Sequence, residues 1–363
     1  MPFREYQSDS VNIGVGIDLV DSCNIKCPQC FYAKHQSGQS RLDRRALRPI
    51  MEKTRQAGFT EFYILGGEPT LHPDLLGVVQ DALSIFPVVI LVTNGLKFAD
   101  SRFCRRLAQP RLALAMHRLA MKAEGADIVN QLSGSKTAYD RYQKAWRNIE
   151  KYWQGDVNVQ LNLMRPLIDG GHVLDVFKWA RSMGYEPIME LTKAGRRYPR
   201  GNPLDVSPAE IINLFAELKR YDEEHYPDKV AGTQVPPSYN HNCTLIETGI
   251  HILINGDVLP CVGHPGLKLG NVFSDDLDDI LNHPLRRALM DYHSWIVGPC
   301  QACAQFDFCH GGCRGEAYWQ TGCPRASDPY CWLSPPSSDL SVFRPESCVG
   351  CILEHHPSCG FKK

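Results

Sequence analysis

The fold of this chain is decided by the stretch Asp21-Ser22-Cys23-Asn24-Ile25-Lys26-Cys27-Pro28-Gln29-Cys30-Phe31, which follows an apolar run from Val11 to Val20. Thiolates spaced this closely are soft ligands suited to an iron–sulfur cluster or to zinc. The next cysteine, Cys104, lies far along the chain. Three thiolates leave one metal position open, as catalytic metal sites do. Half of a zinc ribbon is the alternative, although paired zinc knuckles normally place two residues between their cysteines.

Length and composition are those of an ordinary soluble enzyme. At 363 residues the chain is long enough for two domains, and its net charge of −1 gives no electrostatic reason to bind nucleic acid or an anionic membrane. No apolar run reaches the length of a membrane span, and the first residues do not form a signal peptide, so we expect a cytoplasmic protein. Fifteen cysteines in such a chain indicate metal rather than disulfides, and eleven of them follow residue 240.

Strand-like and helix-like patterns alternate along the first half of the chain. We predict strands at 11–20, 61–65, 88–92, 112–116, 157–164 and 187–191, and helices at 44–56, 74–86, 138–152 and 173–183. Six β/α units imply a parallel sheet with right-handed crossovers, and they are too few to close an eightfold barrel. The predicted fold class is therefore α/β, with a partial (β/α)6 TIM-like barrel. Chemistry in such barrels gathers at the carboxyl ends of the strands, where the cysteine loop and the turns 66–69 and 93–95 fall.

The second half of the chain begins with a helix and a hairpin. Ser207-Pro208-Ala209-Glu210 is a capping box with proline at the first helical position, so we predict a helix that runs to about His225. The stretch 227–237 reads as an irregular linker. Strands at 249–254 and 257–261 are predicted to flank a two-residue Asn255-Gly256 turn, which carries Cys261 to the end of a strand.

The turn after the second predicted strand reads Gly66-Gly67-Glu68-Pro69. Two glycines let a backbone approach a ligand closely, and the glutamate can accept from an ammonium group. With this turn, and with the C-x3-C-x2-C spacing followed by an aromatic, the chain resembles the radical S-adenosylmethionine (SAM) enzymes. The resemblance implies that Cys23, Cys27 and Cys30 hold a [4Fe-4S] cluster whose fourth iron is chelated by SAM. It also implies that the turn contacts the amino group of SAM, with Glu68 in that role.

Further SAM contacts are expected from the resemblance and from position. Phe31 stands where the family's residue packs near the adenine, and a plain core position is the alternative. His117, Asn162 and Glu190 fall at strand ends and are candidates for the SAM ribose, with an ordinary structural polar residue as the alternative for each. Many relatives carry an arginine that pairs with the SAM carboxylate just before the glycine that corresponds to Gly134. This chain has Asn130-Gln131 there, so the sequence departs from the family at that contact.

The later cysteines follow a second pattern. Its members are Cys243, Cys261, Cys300, Cys303, Cys309, Cys313 and Cys331, with Gly256 between the first two. Four closely spaced cysteines with three outliers fit interleaved clusters better than one zinc site, and a zinc ribbon is the alternative. The pattern resembles the SPASM extension of radical SAM enzymes, which holds two auxiliary [4Fe-4S] clusters, for three in the whole chain. The resemblance implies an outer cluster on Cys300, Cys303, Cys309 and Cys331. It implies an inner cluster on Cys243, Cys261 and Cys313, with a fourth ligand that is not assigned.

The resemblance covers about residues 10 to 335 and gives a domain organisation. We expect a radical SAM partial barrel at 10–205, a helix and linker at 206–240, a SPASM auxiliary-cluster domain at 241–335 and a cysteine-containing tail at 336–363. The tail carries Cys348, Cys351 and Cys359 beside His355 and His356. One of these cysteines can complete the inner cluster, or the three can form a further metal site with Cys323 or a histidine. A surface tail without metal is the alternative.

These resemblances imply an enzyme that reductively cleaves SAM to a 5′-deoxyadenosyl radical and abstracts a substrate hydrogen atom. We expect it to modify a peptide or protein side chain oxidatively, by dehydrogenation or cross-linking, with an external electron donor of the flavodoxin or ferredoxin type. Because only about ten residues precede the first strand, we expect no fused leader-peptide-binding domain, and a peptide substrate would need a separate binding protein or none.

Two alternatives stay open. The first is a small-molecule enzyme, such as an amino sugar or cyclitol dehydrogenase or a tetrapyrrole side-chain modifier. The second is a non-catalytic iron–sulfur electron carrier, which would have no use for the three-cysteine site and its Gly-Gly-Glu-Pro turn.

Overall fold

The computed structural model describes residues 12–30, 40–192, 201–233, 245–263, 267–290, 296, 298–321 and 323–333. These residues form two compact units. The first unit holds the described residues up to Thr192 together with 252–256, and the second holds the described residues within 201–251 and from Asp257 on. The domain boundaries expected after residues 205, 240 and 335 stay predictions.

The first unit is built on six parallel strands that pair in chain order. They are β1 (Gly14–Asp18), β2 (Glu61–Leu65), β3 (Val88–Thr93), β4 (Leu112–His117), β5 (Val157–Leu163) and β6 (Glu186–Leu191). Each strand pairs in parallel with the next one along the chain. Every one of them matches a predicted strand, so the α/β class with a parallel sheet is confirmed.

Helices connect these strands. They are α1 (Arg44–Gln56), α2 (Leu75–Ile85), α3 (Ser101–Leu107), α4 (Ala126–Ser133), α5 (Ala138–Tyr152), α6 (Arg165–Asp169) and α7 (His172–Ser182). Short polar side chains begin several of them, because such residues satisfy the unpaired N–H groups of a first turn. The Asp43 side chain accepts from Arg45 N at the start of α1, and that of Asp100 accepts from Arg102 N at the start of α3.

The two faces of this sheet differ. One face carries the fully buried side chains of Val15, Ile17, Phe62 and Ile64, and it packs against the helices. The ring centroids of Phe62 and Phe86, for example, lie 4.9 Å apart, and Phe86 directly follows α2. The other face, called here the inner face, carries a small apolar cluster of Ile90, Ala113 and Ala115, against which Tyr63, Val88 and Val92 pack.

The second unit opens with α8 (Pro208–His225). Its start is the predicted capping box, since Ser207 accepts from Glu210 N and the Glu210 side chain accepts from Ser207 N. The linker prediction is wrong for Pro227–Thr233, which is a 3-10 helix. The remainder of that predicted linker, 234–237, lies outside the described residues.

The predicted hairpin is present but its turn is longer than predicted. Its strands are β7 (Gly249–Ile252) and β8 (Asp257–Leu259), and β8 pairs with the antiparallel β9 (Gly270–Asn271). Gly256 N donates to Leu253 O at 2.8 Å, and Gly256 has a φ of 86°. The connection is therefore a four-residue turn closed by a left-handed glycine, a common form of longer hairpin. The two-residue Asn255-Gly256 turn is wrong.

The rest of the second unit is made of short helices. They are α9 (Leu245–Thr248), α10 (Leu277–Leu281), α11 (Pro284–Met290), a 3-10 helix at Gly298–Ala302, α12 (Phe306–Cys309) and α13 (Arg314–Thr321). The last three of these carry or adjoin most of the later cysteines. Within the described part of the chain, no helix combines the length and apolarity needed to cross a membrane.

Candidate cofactor sites

The cysteine loop at 21–30 packs directly against the turn after β2. Gly67 N donates to Val20 O at 2.7 Å, and Glu68 N donates to Ser22 O at 2.9 Å. A Cβ on Gly67 would overlap the Ser22 carbonyl oxygen and lie 2.8 Å from its carbon, and Gly66 has a φ of 130°. The two glycines therefore let one backbone lie against another, because any side chain there would displace the cysteine loop.

Glu68 lies at the centre of this arrangement and is fully buried. Its Oε1 accepts from Thr70 N at 3.0 Å, from the Thr70 hydroxyl at 2.5 Å and from the Thr93 hydroxyl at 2.6 Å. Its Oε2 accepts from Asn94 N at 2.8 Å. Burial raises the pKa of Glu68, and these donors oppose that shift. The carboxylate thus joins the loops after β2 and β3, and its expected contact with the SAM amino group stays a prediction.

Cys23, Cys27 and Cys30 share one loop of the first unit. Cys30 N donates to Cys27 O at 3.2 Å, which turns the chain between them. The pKa of the Cys23 thiol is raised to about 11, mainly by burial and also by the nearby Glu68 and Cys30, while the Ile25 N–H and the Asn94 amide oppose that shift. A buried thiol of this kind becomes a thiolate when a positively charged metal centre supplies the missing countercharge.

The donor set of this loop fits an iron–sulfur cluster. The three side chains in the C-x3-C-x2-C spacing are all thiols, and none is a carboxylate. Such a set suits iron–sulfur chemistry. Asp21 Oδ1 and Gln29 Oε1 on the same loop are buried acceptors that have no hydrogen-bond partner within the described chain, as expected beside an additional group. No three His, Cys, Asp or Glu side chains among the described residues lie close enough together to hold a single metal ion.

The three residues expected at the ribose lie together at the carboxyl ends of β4, β5 and β6. Asn162 pairs in register with Glu190. Burial lowers the pKa of His117, while Glu190 and a hydrogen bond to Asn162 oppose that shift. The imidazole is therefore neutral near pH 7. The structure brings the three side chains into one cluster, although their contact with SAM stays a prediction.

Gln160 belongs to the same cluster and was not among the residues expected from the sequence. It pairs in register with His117, so the two side chains are neighbours on the inner face. Gln160 Oε1 and His117 Nδ1 are both buried, and neither has a hydrogen-bond partner in the described parts of the chain. Buried polar atoms are nearly always paired, so this pair is suited to a polar ligand. Only the period-two pattern of β5, with Asn158, Gln160 and Asn162 on one face, signals it in the sequence.

The end of α4 packs on the cysteine loop from the other side. Lys26 N donates to Ser133 O at 3.2 Å, and a Cβ on Gly134 would lie 2.6 Å from Lys26 O. Of the two residues that replace the family's arginine, Asn130 accepts from Tyr139 N at 3.0 Å and Gln131 is exposed. Asn130 thus caps α5, which accounts for one of the two departures from the family pattern.

In the second unit, a glycine contact brings two of the expected inner-cluster cysteines near each other. A Cβ on Gly263 would lie 3.3 Å from Gly315 Cα and 3.2 Å from Cys261 Sγ. A Cβ on Gly315 would lie 3.2 Å from Gly263 Cα and 3.6 Å from Cys313 Sγ. The two sulfurs therefore flank one backbone contact, and Gly263 N also donates to Cys261 Sγ at 3.1 Å. Their expected partner, Cys243, lies outside the described residues.

The expected outer-cluster cysteines lie on successive turns. Cys303 N donates to Cys300 O at 3.2 Å, Phe306 N to Cys303 O at 3.0 Å and Cys309 N to Gln305 O at 2.8 Å. Cys300 Sγ contacts Ser327 Oγ at 3.1 Å, four residues before Cys331. The segment that leads to Cys331 therefore lies against Cys300.

Two charged residues hold this returning segment in place. Arg314 is buried, and its guanidinium donates to the carbonyl oxygens of Gly311, Gly312, Pro324 and Ala326. Asp328 is also buried, and it accepts from Cys313 N at 2.5 Å and from Tyr330 N at 2.8 Å. Burial raises the pKa of Asp328 to about 6. Neither residue stood out in the sequence, because a lone charge near a cysteine carries no spacing signal.

Four further residues expected from the sequence lie outside the described residues, namely Phe31, Cys348, Cys351 and Cys359. Cys323 is buried in a small cluster with Ala317 and Ala326. Cys104 is buried and its thiol contacts Asn148 O at 3.5 Å, and burial raises its pKa to about 11. A thiol of that kind is unreactive.

Family models and curated relatives match this chain. A family model described as an iron–sulfur cluster-binding domain, SPASM, matches residues 243–304, and one described as a 4Fe-4S single cluster domain matches residues 15–111. The PqqA peptide cyclase of Methylocella silvestris is 24% identical over 91% of this chain and 90% of its own length. These matches support a radical SAM enzyme with a SPASM domain. The two matched ranges contain the cysteine loop and the start of the later cysteine pattern.

Solved structures show the fold of this radical SAM chain. It is similar to native anSMEcpe with bound AdoMet and Kp18Cys peptide, at 17% identity over 84% of this chain and 90% of that chain, with a TM-score of 0.66. It is also similar to Streptococcus suis SuiB bound to the precursor peptide SuiA, at 16% identity over 89% of this chain and 76% of that chain, with a TM-score of 0.66. The partial (β/α)6 barrel with a C-terminal SPASM extension is therefore confirmed.

Proposed function

We propose that this enzyme oxidatively modifies a side chain of a peptide or protein. The observation that carries the proposal is the pairing of a three-thiol loop, which leaves a metal position for SAM, with a second pair of thiols, Cys261 and Cys313, on either side of one glycine contact. The relative named PqqA peptide cyclase, and the similar structures with a bound peptide, support a peptide substrate.

Cys23, Cys27 and Cys30 would hold the first cluster. With SAM bound, such a cluster supplies a 5′-deoxyadenosyl radical that abstracts a hydrogen atom from the substrate. The chain's own part is to place the ligands and to exclude water. Gly66 and Gly67 hold the cysteine loop against the turn after β2, and Glu68 joins that turn to the loop after β3.

The cluster of polar side chains on the inner face would bind the SAM ribose. His117, Asn162 and Glu190 were expected there, and Gln160 joins them as a buried acceptor. A carboxamide oxygen accepts a hydrogen bond from a hydroxyl group, and an imidazole nitrogen that carries no proton does the same. Ribose hydroxyls therefore satisfy the two unpartnered atoms, Gln160 Oε1 and His117 Nδ1.

The auxiliary clusters would accept the electron left on the substrate. Cys300, Cys303, Cys309 and Cys331 are assigned to the outer cluster, and Cys243, Cys261 and Cys313 to the inner one, which makes three clusters in the chain. The electron for SAM cleavage would come from a flavodoxin or ferredoxin. A separate peptide-binding protein is a proposed partner, and one of the tail cysteines Cys348, Cys351 and Cys359 is a proposed further metal ligand.

Cys27→Ala tests the assignment of the first cluster. The variant should form no 5′-deoxyadenosine when reduced with SAM, and it should keep the iron of the second unit because those cysteines are unchanged. The measurements are product chromatography and iron per chain. Normal SAM cleavage by this variant would contradict the assignment.

The substrate is tested separately. Short peptides encoded beside the gene should lose hydrogen atoms on incubation with the reduced enzyme and SAM, as seen by mass spectrometry. Turnover of an amino sugar or cyclitol instead would support the small-molecule alternative. A protein that binds clusters but cleaves no SAM would be an electron carrier.

Cys309→Ala tests the role of the auxiliary clusters. If they accept the substrate electron, the variant should continue to cleave SAM while forming much less product. An unchanged product yield would assign these clusters a structural role only.

A further inference from the structure

The turn after β3 places Asn94 against the cysteine loop. Asn94 Nδ2 lies 3.7 Å from Cys23 Sγ and 2.7 Å from Asn24 Oδ1, and it can donate to both. The resemblance gave this residue no role. Through this residue the loop after β3 nevertheless contacts Cys23.

The orientation of this amide is fixed by its other contacts. Leu96 N donates to Asn94 Oδ1 at 3.0 Å. A backbone N–H can only donate, so the oxygen of the amide must face Leu96 and the nitrogen must face the cysteine loop. Asn94 N donates in turn to the buried Glu68 carboxylate at 2.8 Å, which holds the backbone of the residue.

We propose that Asn94 is a positioning residue for the cluster of the first unit, which holds the Cys23 thiolate by an N–H···S hydrogen bond and sets the reduction potential of that cluster. This rests on the proposed function, which assigns the cluster to Cys23, Cys27 and Cys30. Hydrogen bonds to ligand sulfurs draw electron density from an iron–sulfur cluster, and they are among the factors that set its potential. The amide therefore makes the cluster easier to reduce.

The matched variants are Asn94→Asp, Asn94→Ala and Asn148→Ala. Aspartate keeps the shape of the side chain and the acceptor for Leu96 N, but it presents an oxygen to Cys23 in place of a donor. Asn148 serves as the control because its Nδ2 donates to Phe98 O at 2.8 Å and to Ala99 O at 3.2 Å, just beyond the same turn. It contacts Cys104 through its backbone oxygen, which the substitution leaves in place.

The measurement is the midpoint potential of the first cluster, followed by electron paramagnetic resonance, together with iron per chain. The signal of that cluster is the one that Cys27→Ala removes. The potential should shift to more negative values in Asn94→Ala and further in Asn94→Asp, at unchanged iron content, while Asn148→Ala should keep the potential of the unaltered protein. An unchanged or less negative potential in both Asn94 variants would overturn the proposal.

Loss of the cluster is also informative. If the Asn94 variants lose the first cluster and Asn148→Ala keeps it, the positioning role is supported. If all three lose it equally, the effect belongs to the folding of the segment, and the proposal is overturned. Failure of the proposed function is seen separately, because Cys27→Ala would then leave both the iron content and the resonance signal unchanged.

Discussion

Gly263 and Gly315 approach each other so closely that a Cβ on either would lie 3.2 or 3.3 Å from the Cα of the other. Each glycine also adjoins the sulfur of a cysteine assigned to the inner cluster, Cys261 in one case and Cys313 in the other. The contact therefore sets how far apart the backbones that carry these two thiols lie.

Gly315→Ala should weaken the inner cluster. The added methyl group would press on the Gly263 backbone, and overpacking of this kind costs about 1–3 kcal/mol. We expect less iron and sulfide per chain and a lower melting temperature. Gly298→Ala is the control, since Gly298 has a φ of 83° and open space around its Cβ position, so it adds backbone strain without a collision. Equal iron in both variants would contradict this role for the contact.

Gly67→Ala should disturb the first cluster. Its methyl group would overlap the Ser22 carbonyl and push the cysteine loop away from the turn after β2. We expect the iron content to fall by about one cluster while the iron of the second unit is retained. Gly58→Ala is the comparison, because Gly58 is left-handed with a φ of 98° but has no atom near its Cβ position. Retention of the first cluster in Gly67→Ala would show that the loop can shift without losing its ligands.

Glu68→Gln should destabilise the first unit. The carboxylate accepts four hydrogen bonds, and a carboxamide of the same shape would turn an N–H₂ group toward at least one of those donors. A buried donor without a partner costs about 1–3 kcal/mol, which corresponds to roughly 2–4 °C of melting temperature for each kcal/mol. Glu124→Gln, at an exposed position, should melt like the unaltered protein. Identical melting of both variants would count against the importance of these bonds.

Arg314→Ala should release the segment that leads to Cys331. Its guanidinium binds four carbonyl groups; Gly311 O also accepts from Asp328 N, and the other three would lose this donor in the buried interior. Each unpaired buried carbonyl costs on the order of 1 kcal/mol or more, so the total should exceed about 3 kcal/mol. We expect loss of auxiliary iron with the first cluster intact. Arg287→Ala, which removes an exposed arginine bonded to Asn282, should lose no iron. Full auxiliary iron in Arg314→Ala would refute this.

The sequence predicts the sheet because strand periodicity and helix caps are local. Each of the six strands of the first unit follows from such patterns, and so does the capping box at Ser207. The position of His117, Asn162 and Glu190 at strand ends likewise follows from topology, since parallel strands end at one edge.

Other features depend on contacts between distant segments, which no local pattern records. The four donors of Glu68 come from two different loops, and the partner of Asn94 is a cysteine seventy-one residues earlier. The turn of the β7–β8 hairpin was predicted from its Asn-Gly pair as a two-residue turn. In the structure Gly256 is instead the last residue of a four-residue turn. The carbonyl groups bound by Arg314 similarly meet only after the chain has folded back.

The five residues from Cys309 to Cys313 connect the two proposed auxiliary clusters. His310, Gly311 and Gly312 all have positive φ values, of 53°, 76° and 77°, so the connection is a tightly wound left-handed bend. Four residue steps could span about 14 Å if fully extended, and this bend is shorter. The bend therefore limits how far apart the two thiols at its ends can lie, and a single inserted residue would relax that limit.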